Sequence, residues 1–154
     1  MPSDLWSFTL DLYARPGVEQ ACLSLQASGG NVCLLLCGVW LTRRGVACDP
    51  QRVLEIGQLA TPWHDQVVRP LRALRTQWRG AAQQDPSLGL LREHVKKLEL
   101  DAEQELLARL ETLTEQWPAV VTEPGADWLT HLAGEAGSQN RDALHVLRVA
   151  VNRP

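Results

Sequence analysis

Asn31-Val32-Cys33-Leu34-Leu35-Leu36-Cys37-Gly38-Val39-Trp40-Leu41-Thr42-Arg43-Arg44-Gly45 is the stretch on which the fold turns. Asn31 stands where a helix cap would, the residues after it are apolar almost all round, Arg43 and Arg44 fall in the last turn, and Gly45 follows. An asparagine side chain accepts from an N–H orphaned in the first turn, cations offset the negative helix end, and glycine takes the left-handed conformation that stops a helix. A helix apolar on every side has to be covered on every side, so this one is predicted to be the centre of the core. Its most apolar run, Val32 to Leu41, is about half the ~20 residues needed to span a bilayer. Trp40 lies near its polar end, where the indole N–H can find a partner.

Working outward, Ser3 is placed to cap a first helix to about Ala14, with Leu5, Trp6, Phe8 and Leu12 on its apolar side, until Pro16-Gly17 ends it. A second helix runs from Val18 to about Ala27 on Ala21, Cys22 and Leu25, broken by Ser28-Gly29-Gly30. Asp49-Pro50, Thr61-Pro62 and Asp85-Pro86 each read as a cap followed by proline, which lacks only an N–H that would be orphaned there. They predict helices from Pro50 to about Leu59, Pro62 to about Arg79 with a kink or short break at Pro70, and Pro86 to about Gln116. Along the last of these, Leu91, Val95, Leu98, Ala102, Leu106, Leu110 and Leu113 recur at steps of three or four and predict a long packing stripe.

Trp117-Pro118 stops that helix, and Pro124-Gly125 with Gly134, Gly137 and Ser138 loosens the remainder. A helical turn around Trp128 and a final helix from about Arg141 to Val151 are expected there. No strand alternation or internal repeat interrupts the pattern. The fold class is therefore all-α, a single compact bundle of six or seven helices, with a core domain over residues 1–117 and a looser C-terminal extension over 118–154.

The chain has 154 residues, 45% hydrophobic and 21% charged, the composition of one ordinary folded domain. Its start, Met1-Pro2-Ser3-Asp4, lacks the basic region and apolar segment of a secretory signal, which points to the cytoplasm. Cys22, Cys33, Cys37 and Cys48 are then free thiols. Their separations of eleven, four and eleven residues supply no knuckle-type pairs for zinc, so they read as small core hydrophobes.

A net charge of −3 is too mild to direct the whole protein to nucleic acid or membranes. The signal is local. Between Trp40 and Gly80 seven arginines face three acids, whereas from Asp85 to Asp127 ten acids face four bases. On the helix after Pro62, Arg69, Arg72, Arg75 and Arg79 project within roughly 120° of one another, and Val67, Leu71, Leu74 and Trp78 share a separate, narrower face. The arginines can pair with Glu99, Glu103 and their neighbours, or hold a phosphate or carboxylate with Trp63 and Trp78 stacking a base.

Neither a GxSxG elbow nor a P-loop is present, and no GxGxxG follows a strand. Adjacent helical residues do not face one another, so Trp63-His64-Asp65 is no ready-made dyad. His94, His131 and His145 are dispersed, and Glu99 with Glu103 lacks the Glu-x-x-His partners of a carboxylate-bridged metal bundle. No cofactor, metal site or catalytic residue is expected.

Leu5-Trp6-Ser7-Phe8, Leu12-Tyr13-Ala14-Arg15-Pro16-Gly17-Val18, Ala21-Cys22-Leu23 and the Val32 to Trp40 helix resemble the start of a proteobacterial conserved-hypothetical family, a domain of unknown function. Pro70-Leu71-Arg72 and Leu98-Glu99-Leu100-Asp101-Ala102-Glu103 are similar to its later segments. The resemblance covers roughly Asp4 to Leu113 and implies no established activity.

Three functional readings follow. The first is binding of a protein partner through the arginine-bearing helix, with Trp63, Arg69, Arg72, Arg75 and Arg79 on or beside the surface used. The second is an enzyme or small-ligand protein with a cleft lined by Trp40, Arg72, Glu99 and Glu103. The third is nucleic-acid binding through the arginine stripe, which the absence of a basic tail and of a known motif disfavours.

Overall fold

The computed structural model describes residues 4–119 and 127–151. Its helices are α1 (Leu5–Tyr13), α2 (Val18–Ala27), α3 (Val32–Arg44), α4 (Pro50–Trp63), α5 (Arg69–Gln77), α6 (Arg79–Ala82), α7 (Pro86–Thr114), α8 (Trp128–Gln139) and α9 (Arg141–Val151), with a π-helical turn at His64–Val68 between α4 and α5. The fold is all-α, without a strand among the described residues. Counting α4, the π turn and α5 as one continuous rod, the described residues form eight helices, close to the six or seven expected.

Every residue from Val32 to Leu41 is buried, and α3 packs against α1, α2, α4, α7, α8 and α9. The side chain of Asn31 accepts from the Leu34 N–H at 3.4 Å, and Gly45 closes the helix at φ 74°, a conformation that favours glycine. Burial pushes the Cys37 thiol up to about 12 and the Cys22 thiol to about 11, so both stay protonated and behave as core hydrophobes.

Ser3 lies outside the described residues. The cap of α1 is Asp4, whose carboxylate accepts from the Ser7 N–H at 2.7 Å. Two of the three cap-then-proline starts are where the sequence puts them: Asp49 accepts from the Arg52 N–H at 2.9 Å, and Asp85 from Ser87 and Leu88 at 3.1 and 3.2 Å. Thr61-Pro62 is not a start. The helix begun at Pro50 runs through Pro62 and passes into the π turn, in which the Arg69 N–H donates to the His64 carbonyl. The irregularity expected at Pro70 therefore falls just before it, and Pro70 sits in the first turn of α5, directly after the π turn.

At 29 residues α7 is ~44 Å long at ~1.5 Å per residue. Its last carbonyls are met by Arg44, whose guanidinium donates to Thr114, Glu115 and Trp117 oxygens at 3.4, 3.5 and 3.2 Å and lies over the Trp40 ring. The C-terminal segment holds two helices that complete the core. Trp128 is buried and its Nε1 donates to the Val46 carbonyl at 2.8 Å, while Leu129, Ala133, Leu144, Leu147 and Ala150 join the cluster around α3. Arg15 donates to the Ala150 carbonyl at 2.6 Å, fastening α9 beside α2. Gly134, at φ 52° and ψ −132°, bends α8.

The main hydrophobic cluster takes residues from α1 to α4, the second half of α7, α8 and α9, and none from α5 or α6. The part of the chain from the π turn to about Ala102 thus forms a helical hairpin beside the core, with Val68, Val95, Glu99 and Ala102 as its buried residues. Among the described residues, no helix is long and apolar enough to cross a membrane.

Candidate functional site

The hairpin is built with its charges inside. Glu99 of α7, 6% exposed, receives Arg72 Nε at 3.0 Å and Arg75 Nε at 2.5 Å, with Arg75 Nη2 at 3.3 Å. Arg72 Nη2 also faces Glu103 at 3.9 Å, and Arg92 Nε donates to the Arg75 carbonyl at 2.8 Å. Burial would raise the Glu99 carboxyl, but hydrogen bonds from Arg75 and Arg72 outweigh it and hold it below the usual glutamate value. Glu103, more weakly paired, is pushed up by burial, with Arg72 opposing and the Glu99 charge adding to the rise. The bond to Glu99 in turn raises Arg75.

With Arg72 and Arg75 turned inward, the apolar stripe of the same helix has nowhere to go but outward. No residue of α5 is buried; Leu71 and Trp78 are half-covered and Leu74 is 37% exposed. On α7, Leu91 and Leu98 were expected to pack, yet each is 53% exposed. The arginine bonds set the antiparallel register of the two helices. At ~100° per residue, Leu71 and Trp78 then fall on the same side of the hairpin as Leu91 and Leu98, with Leu74 beside them. Trp63 stands at the foot of this side, its Nε1 donating to the Ala102 carbonyl at 2.9 Å and the Arg109 guanidinium 4.0 Å over its ring.

On the other flank of α5 lies a cleft of about 380 Å³. Gln26, Ala27, Gly29 and Gly30, the end of α2 and the turn after it, form one wall; His64, Asp65, Arg69, Arg72 and Ala73 form the other. The π turn is what aims His64 and Asp65 here, and single π turns inside helices often mark functional positions. His64 is lowered from its ordinary value by burial, then by Arg72, with Asp65 opposing, so it is neutral at pH 7. Arg69 pairs with Asp65 at 3.5 Å across solvent.

Of the sequence-predicted residues, Arg72, Arg75, Glu99 and Glu103 are brought together, and Arg72 also lines the cleft together with Arg69. Trp40 is in the core beneath Arg44 and does not line that cleft. Trp63 is on the hairpin's apolar side, and Arg79 is exposed near its tip. Leu91 and Leu98, expected on the packing stripe of the long helix, stand exposed instead, and the Gly29-Gly30 wall had no signal at all, because it comes from a segment remote in the chain.

No curated protein and no solved structure matches this chain. The family model described as "Protein of unknown function (DUF2390)" matches residues 4–110, spanning α1 to most of α7 and so both the hairpin and the cleft. The chain belongs to that family.

Proposed function

We propose that this protein acts by binding another protein, and that an amphipathic helix of the partner lies along the apolar side of the α5–α7 hairpin. The observation that carries the reading is the inversion of α5: its arginines are spent on Glu99 and its leucines face out, level with Leu91 and Leu98. Exposed leucines at helical spacing on two adjacent helices make the kind of surface that receives a third helix. Two of the four arginines are thereby removed from any partner-facing role.

The test replaces Leu91 and Leu98 together by aspartate. The double variant should keep its circular dichroism and lose a partner that the unaltered protein captures and that binds as an isolated helical peptide. Capture unchanged by both substitutions would refute the assignment of this face.

A further inference from the structure

The cleft on the opposite flank of α5 is a separate feature. Arg69 and Ala73 lie on α5 at roughly 160–200° from Leu71, so the cleft and the apolar side do not share a surface. Three observations bear on what it would hold.

Arg72 is four-fifths covered, its side chain 19% exposed, yet among the described residues only its Nε donates a hydrogen bond. Nη2 is 3.9 Å from Glu103, beyond hydrogen-bond distance, and Nη1 takes part in neither contact. Most donors of a largely desolvated guanidinium are thus uncommitted at the wall of a cleft, where a planar acceptor such as a carboxylate suits them.

The surrounding charge is balanced. Arg69, Arg72 and Arg75 are matched by Asp65, Glu99 and Glu103. A balanced site disfavours a dianion such as phosphate and accommodates a ligand whose own charges cancel.

The facing wall has the opposite polarity. Gln26 and Ala27 belong to the last turn of α2, the negative end of that helix, whereas Asp65 stands on the arginine wall beside Arg69. Nothing stands within 4 Å of where a Cβ on Gly29 would sit, so that position on the α2 wall borders open space. The volume of about 380 Å³ falls at the small end of the ~300–1,000 Å³ typical of ligand pockets.

We infer that the cleft binds a small zwitterion of the free α-amino-acid class, its carboxylate on Arg72 and Arg69 and its ammonium toward the end of α2. The bound carboxylate also gives the neutral His64 imidazole an anionic neighbour, which favours its protonation.

The experiment is an NMR titration of the full chain with the common L-amino acids, with acetate, with inorganic phosphate and with the N-acetylated form of the best binder. At least one amino acid should shift Gly29, Gly30 and His64 resonances saturably and raise the His64 titration midpoint. Arg69→Gln should weaken it about tenfold, the loss of one charge-assisted contact, whereas Leu91→Asp should leave it unchanged. Arg69 is exposed, so its replacement does not threaten folding. No saturable shift with any amino acid, an equal response to phosphate, or undiminished binding of the N-acetylated form would each overturn the inference.

Discussion

Arg75 and Glu99 meet across the α5–α7 seam at 2.5 Å, on a carboxylate of which only 6% is exposed. A carboxylate so covered has to be paired, and Arg72 completes the pairing from one turn earlier on α5. The orientation of α5 follows: two arginines cannot reach inward without the stripe behind them turning out.

Glu99→Gln leaves two partly buried guanidinium groups without their anion. It should lower stability by about 2–4 kcal/mol, somewhat under the ~3–5 kcal/mol for breaking a fully buried pair from one side, because both arginines are partly exposed. Arg75→Met should cost less, because Arg72 still holds Glu99. Urea denaturation at neutral pH measures both, and equal losses would contradict the shared role of the two arginines.

The two glutamates should respond to pH with opposite sign. Glu99 titrates lower folded than unfolded, so its contribution is complete above its ordinary value of 4.5 and disappears as pH falls through the folded value. Glu103 titrates higher folded than unfolded, so its ionisation opposes folding once pH rises past 4.5 toward the raised value. Glu103→Gln should therefore be neutral or stabilising at neutral pH, by less than ~1 kcal/mol. The gap between wild type and Glu99→Gln should narrow as pH falls below 4.5 and through the lowered folded value. Denaturation midpoints across that range decide it.

Two leucines of one helix should behave oppositely. Leu106 is fully buried, and Leu106→Ala should cost ~2–5 kcal/mol. Leu98→Ser, on the exposed side, should change stability by no more than about 0.5 kcal/mol and improve solubility. A large loss at Leu98 would mean that the hairpin's outer side is covered in the folded protein.

Arg44 acts on a helix other than its own. Arg44→Met removes donors to three carbonyls at and just beyond the end of α7 and a cation from above Trp40, and should cost ~1–3 kcal/mol. Hydrogen exchange should quicken at the end of α7 first. Arg44→Lys should rescue little, because an ammonium lacks the fork that spans several carbonyls.

Much of this was legible in the chain, and the limits were specific. α3 was readable because cap, apolar run, terminal cations and glycine all sit within one short stretch. Asp49-Pro50 and Asp85-Pro86 were readable as starts, whereas Thr61-Pro62 was not, since a proline in the last turn of one helix and in the first turn of the next follow the same kind of residue. What decides is whether the helix before it ends, and α4 does not. The opposed charges of α5 and α7 announced their pairing. Periodicity defines the faces of a helix but not which of them is covered. For α5 that was decided by Glu99 on another helix, and for Leu91 and Leu98 by how far α7 reaches beyond the core. The cleft joins the end of α2 to α5 and had no local signature.

The burial of α3 on all sides has a consequence in time. Its cover includes α8 and α9, made well after it, so during synthesis the ten-residue apolar run of α3 stays partly bare until those two helices have emerged. A chain cut after Trp117 should keep the hairpin's helices but expose the side of α3 that meets Trp128, Leu129 and Leu147, and should aggregate instead of folding. Helices α8 and α9 thus govern when the nascent protein becomes safe from its own centre.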